Sequence, residues 1–111
     1  MKPWIQSCAQ ASLGAWVLVA ATMGSAHAQD AAALQTRSLA ATCASCHGTG
    51  GRSVDGAAVP GLAGIPAAYM VEQMNGFKSG ARTATVMHQI AKGFNDAQIN
   101  QLAAYFSAQK K

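Results

Sequence analysis

Cys43, Ala44, Ser45, Cys46 and His47 spell C-x-x-C-H, a spacing at which two thiols and an imidazole can take hold of one porphyrin. Cysteines three residues apart lie on the same side of a helical turn, so both sulfurs can form thioether bonds to the two vinyl groups of one haem. The ring of His47 is then held beneath the porphyrin, where it can coordinate iron as the proximal ligand. Other uses of the motif fit less well. A redox-active C-x-x-C belongs in a βαβ setting, and no strand pattern flanks this one. A structural zinc site needs a fourth ligand at finger-like spacing, and beyond residue 28 the chain offers only His88 besides His47.

Iron that carries electrons commonly takes Met on its second face, which raises the reduction potential and leaves no open position. Met70, Met74 and Met87 are the methionines beyond residue 28. Met70 and Met74 share an apolar stripe with Val71 and Phe77 and read as side chains packed against the haem. Met87 follows His47 by 40 residues, in a segment without periodicity that could bring its sulfur to the iron from the far side. Its neighbour His88 is the alternative, and would give a bis-His iron of lower potential.

The elements that must hold these residues are helical. Asp30 is placed to cap a helix through the Ala-rich stretch 31–42 that delivers the cysteines. Gly48 to Gly64 holds six glycines and Pro60, reading as a loop round the haem edge, with Gly48, Gly50 and Gly51 letting backbone pass close to the ring. Pro66 suits the start of a second helix that runs to about Lys78 and stops at Gly80. A third begins after Asn95, with Gln98 completing a capping box, Ile99, Leu102, Tyr105 and Phe106 facing inward, and Lys110 and Lys111 closing it. No run alternates with a strand period, so the expected architecture is all-α: about three main helices wrapped round one covalent haem c.

The chain also carries an export signature. Lys2 gives a basic start, Leu13 to Ala21 is an apolar run (LGAWVLVAA), and Ala26, His27 and Ala28 form an A-x-A site. Residues 1–28 therefore read as a secretory signal peptide, and 29–111 as one 83-residue monohaem domain in the periplasm. The apolar run is too short to span a bilayer. Those 83 residues carry seven Lys or Arg against four Asp or Glu. That net +3, largely offset by two haem propionates, points to neither nucleic acid nor membrane. Lys78, Arg82 and Lys92 surround the expected distal segment and could form a local basic rim. Five aromatic residues and eleven Leu, Ile or Val make a thin core that needs a staple such as a buried porphyrin.

Taken together, the haem site CASCHGTGG, the loop PGLAG, and the stretches EQMNGFKSGAR, TVMHQIAKGF and INQLAAYF resemble a class I c-type cytochrome over nearly all of residues 29–111. More narrowly they resemble the haem domains of cytochrome c4 and of the cytochrome subunit of flavocytochrome c sulfide dehydrogenase. The resemblance implies the class I cytochrome c fold, thioether bonds at Cys43 and Cys46, iron held by His47 and Met87, and a carbonyl of Pro60 offered to the proximal imidazole. Cytochrome c4 has two such domains, whereas this chain has one haem motif.

What the resemblance implies for function is single-electron transfer. It points to a haem subunit that accepts electrons from an FAD-containing sulfide dehydrogenase subunit and hands them to a soluble acceptor. Alone, such a chain is no enzyme; it has no G-x-G-x-x-G flavin fingerprint and no thiol left for sulfur chemistry. The alternative is a free monohaem carrier shuttling between respiratory complexes. A gas sensor or peroxidase would require an open position on the iron.

Overall fold

In the computed structural model residues 28–111 are described, so the export signal expected over 1–28 lies outside them save for its last residue. The chain divides into two units, Met1–Leu34 and Gln35–Lys111. In the first, residues 28–34 are helical and exposed. Asp30 lies inside this helical run, after Ala28 and Gln29, and is not at an N-cap position.

The second unit holds all of the site. Helix α1 covers 35–41 and ends where the main chain changes its bonding, with the Thr42 and Cys43 amides donating three residues back to Leu39 and Ala40. The Thr42 hydroxyl also donates to the Leu39 carbonyl, at 2.7 Å. The expected continuous helix into the haem motif is therefore broken, and a separate turn, α2 (Ala44–His47), carries Ser45, Cys46 and His47 with Cys43 as its N-cap. A 3-10 turn, Thr49–Gly51, leads into the loop that ends at Pro66.

Helix α3 (Ala67–Ser79) starts on Pro66 and stops at Gly80, whose left-handed backbone (φ 83°) lets the last turn close onto Phe77. Its Met70 and Met74 are buried, and Val71 and Phe77 partly so. The segment expected to be irregular around Met87 contains one more helical turn, α4 (Met87–Ile90), followed by a 3-10 turn, Ala91–Gly93. Four residues are too few to show a helical period in sequence. The turn forms because the Gln89 and Ile90 amides both donate to the Val86 carbonyl and Ala91 is fully buried behind it.

Helix α5 (Asp96–Ser107) begins with the expected capping box. The Gln98 amide donates to Asn95 Oδ1 and the Asn95 amide to Gln98 Oε1, each at 2.9 Å. Ile99, Leu102 and Phe106 are the largest fully buried side chains of the described residues, with Tyr105 packed partly against them. The helix ends at Ser107, so Lys110 and Lys111 lie beyond its last turn and do not close it. Asn95→Ala should cost about 1 kcal/mol, the usual worth of such a cap. The check is a lower denaturation midpoint for the haem-loaded protein at unchanged slope.

A Gln101–Thr36 hydrogen bond ties α5 to α1. Lys78, expected as part of a basic rim, instead pairs with Asp96 at 3.0 Å, an exposed ion pair worth at most about 1 kcal/mol. Among the described residues there is no strand. None of their helices is long and apolar enough to cross a membrane.

Candidate functional site

Helices α2, α3 and α4, the loop at Pro60 and Leu102 of α5 enclose one cavity of about 570 Å³. Its size is that of a ligand pocket, roughly 300–1,000 Å³, and its walls are mostly apolar. Cys43, Cys46, His47, Pro60, Met70, Met74 and Met87 all line it. Residues spread over 45 positions of sequence are thus gathered round one space.

His47 closes α2 and is 9% exposed, so its ring must find polar partners inside the protein. One is the Pro60 carbonyl, which accepts from His47 Nδ1 at 2.7 Å. That bond puts the proton on Nδ1 and leaves Nε2 as the nitrogen with a free lone pair. A buried imidazole oriented in this way is what an iron ligand requires, and a thioether sulfur, Met87, lines the same cavity.

Both thiols line the cavity, where they can serve as anchors. Burial pushes the Cys43 thiol above its ordinary pKa, offset only in part by the Thr42 hydroxyl beside it. A redox-active cysteine relies on the opposite shift. Among the described residues no three His, Cys, Asp or Glu converge into a metal-binding cluster. The residues present fit a haem: two adjacent thiols for its vinyl groups, an oriented imidazole, a thioether and apolar walls. When bound, the haem supplies a one-electron iron couple.

His88 does not line the cavity, and its buried Nδ1 has no hydrogen-bond partner. The glycines expected beside the ring are also elsewhere. Gly48 packs on the Arg52 backbone and Gly51 on Phe106, Leu62 and Ala63, and neither they nor Gly50 line the cavity. Their small size serves main-chain contacts within the loop.

Sequence reasoning did not find the apolar margin of the cavity. Tyr69, Val86 and Ile90 line it while remaining 49%, 52% and 41% exposed. Their only signal in sequence is large apolar residues outside the core stripes. Arg82 also lines the cavity, its guanidinium 4.8 Å above the Phe77 ring.

Comparison with known proteins agrees with this geometry. The cytochrome c family matches residues 32–110. The chain is 44% identical over 71 residues to the thiosulfate dehydrogenase electron acceptor of Thiomonas intermedia, covering 64% of this chain and 33% of that one. It is 40% identical over 68 residues to the cytochrome subunit of sulfide dehydrogenase of Chlorobaculum tepidum, covering 61% of this chain and 60% of that one. The solved structure of cytochrome c4 from Acidithiobacillus ferrooxidans matches at 39% identity and a TM-score of 0.56, over 60% of this chain and 37% of that one. The chain thus spans from about a third to 60% of the length of these relatives. With the family match running from α1 to the end of α5 and beyond, this chain belongs to the cytochrome c family, an electron-transfer domain that binds haem c covalently through Cys43 and Cys46.

Proposed function

We propose that this cytochrome works in the periplasm as the haem subunit of a sulfide-oxidising flavoprotein, taking single electrons from an FAD-containing partner and passing them to a soluble acceptor. In this reading His47 and Met87 are the axial ligands, Pro60 fixes the His47 tautomer, and Met70 and Met74 pack against the haem. The hydrogen bond at 2.7 Å and the shared cavity support those roles. A six-coordinate iron suits electron transfer because it offers no position for substrate.

The observation that carries the subunit assignment is the 40% identity to the sulfide dehydrogenase cytochrome subunit of Chlorobaculum tepidum. A lasting subunit needs a well-packed apolar contact with its partner, whereas a shuttle that must leave quickly favours a small polar rim. A second reading, a free carrier, is favoured by the likeness to thiosulfate dehydrogenase electron acceptors.

The two separate on isolation from the native periplasm at mild salt. The subunit reading expects flavin in stoichiometric amount through gel filtration, with sulfide reducing the haem of the complex but not of the cytochrome alone. A clean haem spectrum at the size of one small chain would overturn it and leave the free carrier. Rapid sulfide turnover by the isolated cytochrome would remove the division of labour between flavin and haem.

A further inference from the structure

The hydrogen bond from His47 to Pro60 depends on a loop carbonyl, and a loop carbonyl is only as well aimed as the loop is held. Three attachments hold this one. The Gly51 carbonyl accepts from both the Leu62 and the Ala63 amides, at 2.7 and 3.0 Å, two and three residues after Pro60. The Gly64 amide donates to the Phe106 carbonyl at 2.9 Å, near the end of α5. Arg52, next to Gly51, donates from Nε to the Lys110 carbonyl at 2.8 Å.

Gly51 can make its double contact because it lacks a side chain. It is buried with φ at 79°, and a Cβ there would lie 2.9 Å from the Ala63 amide nitrogen and 2.8 Å from a Phe106 ring carbon. Arg52 then fixes the position of Gly51 itself. Its backbone amide closes the 3-10 turn onto Thr49, and its side chain reaches the chain beyond α5. Neither residue lines the cavity.

We propose that Gly51 and Arg52 form a strap that uses the end of α5 and the chain just beyond it as an anchor to hold the Pro60 carbonyl on His47, making Arg52 a positioning residue for the reduction potential. The physical link is the charge on the imidazole. A firmly held acceptor on Nδ1–H draws the ring toward imidazolate, strengthens its donation to iron and favours the ferric form. Loosening the acceptor favours the ferrous form. The inference rests on His47 being the proximal ligand.

The test uses the haem-loaded protein and the variants Arg52→Gln and Arg52→Lys. Its readouts are the reduction potential and the exchange rate of the His47 Nδ1 proton by NMR. Arg52→Gln should speed that exchange by about tenfold and raise the reduction equilibrium constant about threefold, equivalent to about 28 mV at 59 mV per tenfold. Arg52→Lys keeps the charge and a donor, and should recover part of both changes. Loss of a positive charge alone would move the potential the other way, because a nearby cation repels the oxidised site, one charge more positive, more than it repels the reduced one. A lowered potential in Arg52→Gln, or unchanged exchange, would therefore overturn the strap. A His47 ring proton without a paramagnetic shift in the oxidised wild-type protein would overturn both the ligand assignment and the inference built on it.

Discussion

Met87→Ala, in the haem-loaded protein, is expected to abolish the sulfur-to-iron charge-transfer band at the red end of the ferric spectrum. The reduction potential should fall by on the order of 0.1–0.3 V, within the roughly 0.8 V over which axial ligands set haem potentials. The argument is one of position. Met87 opens α4 and lines the cavity, while His88, one residue later on the same turn, does not. His88→Ala should consequently leave the band in place. Met87 is also packed against the core, so truncation costs stability as well as ligation. Met87→Leu keeps most of that packing and removes the sulfur, and it should lose the band with a smaller drop in stability. Persistence of the band in Met87→Ala would move the ligand to Met70 or Met74, both buried on α3.

The haem-free chain, made by replacing Cys43 and Cys46 with Ser, should be largely unfolded. Its buried apolar residues include four alanines, Ala40, Ala63, Ala91 and Ala103, and only Phe106, Ile99 and Leu102 are both large and fully buried. Those three sit on α5 alone. The cavity that separates α5 from α2 and α4 is about 570 Å³. Without the porphyrin the mostly apolar walls of that space face water and their burial is lost, at about 25 cal/mol for each Å² left exposed. Small domains are stable by only about 5–15 kcal/mol, so a loss of this kind is large against the whole. Far-ultraviolet circular dichroism should show little helix, with no cooperative melt. A cooperative transition near that of the haem-loaded protein would mean that the helices pack without the porphyrin.

The haem motif and the long elements could be read in the residues because their signals are local. C-x-x-C-H has its meaning within five residues, Pro66 and Gly80 bracket α3, and Asn95 with Gln98 marks the start of α5. The inward stripe of α5 follows from helical spacing, and Ile99, Leu102 and Phe106 are its buried members. Where the local signal was short or shared, the reading slipped. One turn at Met87–Ile90 is below the length at which periodicity shows, and an Ala-rich run gives no start point that Asp30 alone could fix.

Sequence by itself thus determined the attachment chemistry, the all-α class and the two longest helices of the site, because thioether spacing, caps and apolar periods act over a few residues. The resemblance had singled out Met87 and the Pro60 carbonyl, but only the tertiary structure decided which groups meet: Met87 among the cavity lining without His88, the Pro60 carbonyl 2.7 Å from His47 Nδ1, Lys78 paired with Asp96, and the glycines turned to the loop. Those choices are set by packing between segments far apart in the chain, where the burial of Ala91, the packing of α3 on α5 and the two hydrogen bonds accepted by the Gly51 carbonyl fix positions that no short stretch of residues encodes.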